Sequence, residues 1–382
     1  MSALGTSSSI IARWLTARRE ASDAFFPVDA DRLARLCQQM SERFLQGGRL
    51  LAFGLTPQAR SDIRHVAVEF VHPVIVGKRA LPAIGLMEPE ELSLLAEPAD
   101  IVMGFGEPAD GPALGRGLKQ ARERGCLTVA FAPLGAEFTF EPPTPDPFIR
   151  QELVETTYHV LWELVHVFFE HEGRHTEGGG AASFLYPFLD KQRSDPEAVI
   201  ADVRESALMK AEEVQALRER TLEDGAAVLT TAAAALRAAF IQGGRLLALG
   251  NGGSATDAMD LVADLVSAGR LAIDLAADSA IITAVANDIG SEAIFARQVI
   301  AYGRAGDVLV ALSTSGNSPS MLSALAEARR RELVTVALVG YDGGRVASEA
   351  LADHVVITPS QHIPRIQEAQ ATAYHLLVDA VR

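Results

Sequence analysis

One run of eleven residues occurs twice in this chain with only two conservative changes: Phe44 to Gly54 reads FLQGGRLLAFG, and Phe240 to Gly250 reads FIQGGRLLALG. A second match closes each copy. Gln151, Glu152, Tyr158 and His159 return as Gln367, Glu368, Tyr374 and His375 at identical internal spacing. Agreement at both ends of two segments of similar length implies that the chain is a duplicated domain. Its 382 residues leave room for two domains with ample cores. The first copy is expected over 1–172, the second over 195–382, with 173–194 as the linker. Gly178-Gly-Gly180 and Pro187 mark that linker, and Phe184, Leu185, Tyr186 and Phe188 imply that part of it packs down.

Each copy opens with a helical pattern, Asp29 to Gln46 and Asp195 to Gln242, and closes with a long helix, Pro147 to His171 and Arg365 to Val381. Between them, short apolar runs alternate with helices. The runs are Leu50–Phe53, Ile101–Met103 and Thr128–Phe131 in the first copy, and Leu246–Leu249, Val308–Leu312 and Thr335–Val339 in the second. Uniformly apolar strands alternating with helices give an α/β fold in which a parallel sheet is flanked by helices on both faces.

Two strand-to-helix turns in the second copy carry chemistry. Gly250-Asn-Gly-Gly-Ser254 follows a buried strand and precedes a helix, so backbone amides at a positive helix end can approach an anion closely. The further Gly of the dinucleotide fingerprint and the Gly-Lys of the Walker loop are missing. Ser313-Thr-Ser-Gly-Asn-Ser318 is a second such turn. Capping its helix needs one hydroxyl, Ser318 with Pro319 behind it, and leaves three for a phosphate.

Composition narrows the partners. A formal net charge of −15 excludes a broad basic surface for nucleic acid. Cys37 and Cys126, the two cysteines, have no metal-like spacing and point to a reducing, cytoplasmic setting without disulfides. Arg13 and Arg18 interrupt the N-terminal apolar stretch, and no apolar run reaches the ~18 residues of a membrane span.

The second copy resembles the SIS (sugar isomerase) domain, and within that family the phosphoheptose isomerases, which convert sedoheptulose 7-phosphate to the heptose aldose phosphate. The resemblance rests on Gly250 to Ser254, Asp257-Ala-Met259, Ala286-Asn-Asp288, Gly306-Asp-Val308, Ser313 to Ser318, Asp342-Gly-Gly344 and Arg365-Ile-Gln-Glu368, in order. It implies two tandem domains of flavodoxin-like, three-layer build. It also implies a sugar-phosphate site lined by Asn251, Gly252, Gly253, Ser254, Asn287, Asp288, Ser313, Thr314, Ser315, Ser318 and Gln367. Family members carry a divalent metal, usually zinc, on a His and a Glu four residues apart, plus a Gln and a His eight apart. Both spacings keep the pair on one helical face.

Each copy departs from that pattern in its own way. The second has Asp260 and Asp264 for the His and Glu, beside Gln367 and His375, a harder set less suited to zinc. The first, degenerate copy offers His65, Glu69, Gln151 and His159, but its loops read Gly54-Leu-Thr-Pro-Gln58 and Gly106-Glu-Pro-Ala-Asp110, with two carboxylates that repel a phosphate. His166, His171 and His175 read as a solvated helix end.

The resemblance therefore implies an aldose–ketose isomerase working through an enediol(ate), with a phosphate anchor, a base and an acid or metal. Asp264 and His375 take the acid–base roles if the second copy is complete, Glu69 and His159 if the two copies share one composite site, and Asp288 relays protons in either case. The alternatives are a non-catalytic sugar-phosphate-binding regulatory protein and an isomerase or deaminase of amino-sugar phosphates. The family forms tetramers of single domains, so the implied particle is a homodimer with four copies.

Overall fold

The computed structural model describes residues 7–74, 78–88, 90–171 and 196–382. It divides into two compact units, Arg19–Glu212 on one side and Met1–Arg18 with Glu213–Arg382 on the other. The linker expected over 173–194 lies outside the described residues. The unit borders fall inside two long helices, α1 (Ser7–Leu45) and α6 (Pro196–Asp224). Val199, Ile200, Val203, Ala207 and Ala211 of α6 belong to the same core as Trp162 and Leu161, which explains why the first part of α6 goes with the first unit.

In that unit, β1 (Leu50–Gly54), β2 (Ala83–Leu86), β3 (Ile101–Phe105), β4 (Leu127–Ala130) and β5 (Phe138–Thr139) form one sheet in the order β2-β1-β3-β4-β5, every pairing parallel. The connecting helices are α2 (Pro57–Val71), α3 (Glu90–Leu95) and α4 (Gly111–Glu123), and α5 (Pro147–His171) closes the unit. The second unit repeats the design. After α7 (Ala226–Ile241) come β6 (Leu246–Leu249), α8 (Gly253–Ser267), β7 (Ala272–Asp274), α9 (Ser279–Asp288), α10 (Ile294–Tyr302) and β8 (Val308–Ser313). Then follow α11 (Pro319–Arg330), β9 (Val334–Gly340), α12 (Gly344–Ser348), β10 (His354–Thr358) and α13 (Ile363–Asp379). Read from its other edge, this sheet has the order β7-β6-β8-β9-β10, the same as the first. The expected α/β architecture holds in both copies.

The central strands were legible because both of their faces are covered: β1, β3, β6 and β8 are buried at every position. Four edge strands escaped the sequence reading. β2, β5 and β7 are two to four residues long with mixed burial, and β10 alternates, so none shows a continuous apolar run. The single helix expected over Asp195–Gln242 is broken at Gly225, where the two pieces bend by 69° and a Cβ would lie 2.7 Å from the Thr221 carbonyl oxygen.

The repeated Gly-Gly-Arg has a structural reason. Gly47 and Gly243 turn with φ of 86° and 80°, and a Cβ on Gly48 or Gly244 would come within 2.1 and 2.7 Å of the Ala99 and Gly306 carbonyl oxygens. Each arginine then locks its strand to the next. Arg49 donates from its backbone N and from Nη2 to Asp100 at 2.8 Å, and Arg245 donates from its backbone N and Nε to Asp307 at 3.1 Å.

Candidate functional site

In the order β7-β6-β8-β9-β10, the connections leaving β6 and β8 run to opposite sides, and the crevice where ligands bind in such sheets opens between the loops that follow these two strands. Both loops flagged in the sequence stand there. Gly250 follows β6, and a Cβ on it would come 2.0 Å from the Ser254 carbonyl oxygen. Gly252 takes φ 59° and ψ −128° as the N-cap of α8, no side chain caps that helix, and a Cβ at Gly252 would meet open space. The first amides of α8 therefore lack a capping side chain and abut an opening.

The loop after β8 is similar. Ser318 is the N-cap of α11 but makes no side-chain cap hydrogen bond, so the capping reading of this serine does not hold. Ser313 Oγ accepts the Ser315 and Gly316 amides at 3.3 and 3.1 Å, and Ser315 Oγ accepts the Asn317 amide at 3.2 Å, so these two hydroxyls shape the turn. Thr314 and Ser318 are half-buried beside them. Asn251 Nδ2 donates to Ser320 Oγ at 3.1 Å and joins the two turns. Gly316, at φ 62°, rests on Gly343, where a Cβ would lie 2.3 Å from the carbonyl oxygen.

The first copy closes the same two positions with its own side chains. Thr56 Oγ1 accepts the Ala59 amide at 3.1 Å and caps α2. After β3, Asp110 Oδ2 accepts the Glu107 amide at 2.9 Å without capping α4, so a carboxylate lies in the turn equivalent to Ser313–Ser318 of the second copy.

Behind the open loops lies an acid–base cluster on α8 and α13. Asp260 and Asp264 share one face of α8, four residues apart. His375 Nε2 stands 3.3 Å from Asp260 Oδ2 and 3.6 Å from Asp264 Oδ2, and Tyr374 donates its hydroxyl to Asp260 Oδ2 at 2.9 Å. Asp260, His375 and Gln367 are at most 2% exposed, and Asp264 sits at the rim of the buried region. Gln370 donates to the Ser313 carbonyl at 3.2 Å and thereby ties α13 to the second loop. Asn287 and Asp288 end α9, exposed in this chain and hydrogen-bonded to each other at 2.8 Å.

The first copy has a counterpart on α2 and α5. Tyr158 Oη stands 3.0 Å from His65 Nδ1 and 3.4 Å from Asp62 Oδ1, His65 and His159 face each other through Nε2 at 3.2 Å, and Glu69 Oε1 lies 3.9 Å from His65 Nε2. Gln151 Nε2 contacts Asp62 Oδ1 at 3.4 Å. Burial first, then the neighbouring His159, holds the His65 imidazole well below the usual histidine range. His166 is buried too, against the Trp162 and Arg79 carbonyl oxygens at 2.9 and 3.0 Å, and not at a solvated helix end; the side chains of His171 and His175 lie outside the described residues.

Two groups of donor atoms, His65, Glu155 and His159 in one copy and Asp260, Asp264 and His375 in the other, each lie within 4.8 Å of one another. The sequence reading missed Glu155, Tyr158, Tyr374 and Gln370. The repeated Tyr-His dipeptide was the available signal for the tyrosines, whereas Glu155 and Gln370 have no equivalent in the other copy, where Ala371 and Val154 stand.

A family model described as "SIS domain" matches residues 211–340. Phosphoheptose isomerase of Pelobacter propionicus is 44% identical over 173 residues, covering 44% of this chain and 90% of that protein. Phosphoheptose isomerase of a Geobacter species is 47% identical over 149 residues, 37% of this chain and 77% of that protein. Among solved structures, the C-terminal domain of glucosamine-fructose-6-phosphate aminotransferase from Francisella tularensis aligns with a TM-score of 0.63 at 10% identity, over 97% of this chain and 94% of that one, a likeness of fold alone.

Proposed function

Because the chain belongs to the phosphoheptose isomerase family of SIS-domain proteins, we propose that its second copy is the working site for interconverting a phosphorylated ketose and aldose, with sedoheptulose 7-phosphate as the substrate. The observation that carries this reading is the pair of helix starts without capping side chains, joined by Asn251 and Ser320, where in the first copy Thr56 caps α2 and the Asp110 carboxylate lies in the turn before α4.

The phosphate binds the first amides of α8 and α11, with Thr314, Ser315 and Ser318 donating hydroxyl protons. Helix α8 then rises about 1.5 Å per residue, which puts Asp260 about 9 Å and Asp264 about 15 Å along the axis from Ser254. Side chains lean back toward a helix N-terminus, so both carboxylates reach toward the seat across the length of a sugar's carbon chain. Asp264 takes the proton from the hydroxyl-bearing carbon next to the carbonyl, while His375 gives a proton to the carbonyl oxygen, forming the enediol. The reverse transfers at the neighbouring carbon and oxygen give the isomer with no atom gained or lost. Tyr374, bonded to Asp260, fixes the carboxylate beside His375.

Asp260, Asp264, Gln367 and His375 suit a divalent cation, since three of their donor atoms already cluster and three oxygens to one nitrogen make a set for magnesium or manganese more than zinc. Such a cation would supply charge to the developing enediolate oxygen.

The second reading, a regulatory protein that binds a sugar phosphate without turning it over, draws on Asp260 and Asp264 standing where the family carries His and Glu. Incubation with sedoheptulose 7-phosphate in deuterated water separates the two. The isomerase incorporates deuterium at the carbon beside the carbonyl, and Asp264→Asn slows this by about a hundredfold or more while binding persists. Absence of label in the wild type with magnesium, manganese and zinc each supplied leaves only the binding reading.

A further inference from the structure

We propose, on the basis of that sugar-phosphate reading of the second copy, that Gln370 is the positioning residue of the phosphate-binding turn after β8. From α13 it holds the Ser313 carbonyl oxygen out of the seat, and through the same helix it fixes the spacing of the two turns that share one phosphate. Gln370 touches no reacting atom and acts through the turn.

A turn that grips an anion must keep its own carbonyl oxygens out of the seat, because each carries partial negative charge. All four carbonyls from Ser313 to Gly316 are engaged by the protein itself. The Gly316 oxygen accepts the Val346 amide at 3.2 Å, and the Ser315 oxygen accepts Asn317 Nδ2 at 2.9 Å. The Thr314 oxygen packs against Gly340, where a Cβ would lie 2.4 Å away. These anchors come from the turn or from β9 and α12 beside it. The Ser313 oxygen is held from α13 instead, by Gln370 Nε2 at 3.2 Å.

Stability does not account for this side chain. Its amide can face the Ser313 carbonyl only with the nitrogen, an orientation assigned from that bond, so Oε1 is left as a buried acceptor without a hydrogen-bond partner among the described residues. Such an oxygen costs the fold at least what one hydrogen bond returns. The first copy supplies the contrast. Three residues after Gln151, as Gln370 is three after Gln367, stands the buried, apolar Val154, and the equivalent turn there holds the Asp110 carboxylate. The donor is thus present behind the turn built for an anion and absent behind the other. Gln367, Gln370 and Tyr374 share one face of α13 by their spacing. Tyr374 donates to Asp260 of α8, so α13 fastens both the turn after β8 and the helix that begins at the turn after β6.

The test uses the full chain. Gln370→Met keeps the length and loses the donor, whereas Gln370→Glu keeps the shape and donates only while its carboxyl is protonated, a state that burial favours. Calorimetric titration is expected to give Kd values for sedoheptulose 7-phosphate and for inorganic phosphate about tenfold higher in Gln370→Met than in the wild type. Its Tm is expected to stay within about 4 °C, because the lost bond and the removed unpaired oxygen offset each other. In turnover the same variant raises KM about tenfold and changes kcat by less than about threefold. Gln370→Glu is expected to bind within about threefold of the wild type at pH 5.5 and to lose affinity relative to it as pH rises and the carboxyl ionises. A side chain that only fills space gives no such profile. Titration needs no turnover, so the two readings separate. Binding weakened in Gln370→Met, in a protein that incorporates no deuterium, upholds this role and refutes isomerisation. A wild-type Kd in Gln370→Met, in a protein that does incorporate deuterium, refutes the role and leaves isomerisation standing. A lowered Tm with unchanged Kd assigns Gln370 to packing alone and overturns the proposal, as does equal affinity of the wild type and both variants at every pH. A wild type that binds neither sedoheptulose 7-phosphate nor inorganic phosphate overturns it together with the site.

Discussion

Ser318→Asp would put a carboxylate into one of the two proposed phosphate-binding turns, as Asp110 does in the equivalent turn of the first copy. Ser318 has the extended backbone of an N-cap, φ −60° and ψ 121°, yet its hydroxyl caps nothing. An aspartate there can accept amide protons of the first turn of α11 and meets the positive helix end, a gain of about 1 kcal/mol. For a protein of this size that raises Tm by about 2–4 °C. The same carboxylate stands where the phosphate must sit. At roughly 5 Å and an effective dielectric of about 20, two like unit charges repel by about 3 kcal/mol, which weakens binding on the order of a hundredfold. Stability and affinity therefore move in opposite directions, which a merely disruptive substitution does not produce. Calorimetric titration with sedoheptulose 7-phosphate and a melting curve on the same sample read both. Ser318→Ala serves as control and weakens binding about tenfold through one lost hydrogen bond to a charged group. Unchanged affinity in Ser318→Asp, with Tm raised as expected, would refute the placement of the phosphate at α11.

Asp100 gives a pH dependence. Burial by itself would raise its pKa, but hydrogen bonds from the Arg49 side chain and from the Glu97 and Arg49 amides outweigh burial and hold it below the usual carboxylate range. Its stabilising contribution is thus complete above about pH 4 and is lost as pH falls through the lowered value; urea midpoints measured from pH 6 down to pH 2 are expected to show a shallower acid limb in Asp100→Asn than in the wild type, and identical limbs would rule this out. Helix α9 has no fully buried residue; Ile282 and Val285 pack part-buried against the core of their own unit, and Ile289 just beyond the helix is 54% exposed. A homodimer is expected to cover Ile289, so light scattering should give twice the chain mass, and Ile289→Asp should give the mass of one chain.

The loops were legible in the sequence for a local reason. A glycine-rich or hydroxyl-rich turn between a fully apolar strand and a helix can be read from consecutive residues, because the strand, the turn and the helix start are all set within a dozen positions, as at Leu246 to Ser254 and Val308 to Ser318. The Gly-Gly-Arg repeat was legible as a duplication, but its cause was not. Gly48 and Gly244 are demanded by carbonyl oxygens of Ala99 and Gly306, more than fifty residues away along the chain. Ser318 shows the reverse error: its position and its Pro319 neighbour read as a cap, and only the backbone geometry leaves the hydroxyl unused for capping.

The amino-acid sequence alone determined that there are two copies, that each is a parallel α/β layer structure, and that the second carries a Gly-rich and a hydroxyl-rich turn between strand and helix, since periodicity, duplication and turn chemistry are properties of neighbouring residues. Tertiary structure alone decided which side chains meet across helices. Glu155 joins His65 and His159, and Tyr374 joins Asp260 and His375, because α2 packs against α5, and α8 against α13, through residues about a hundred positions apart. No pattern within either helix specifies the partner it will face.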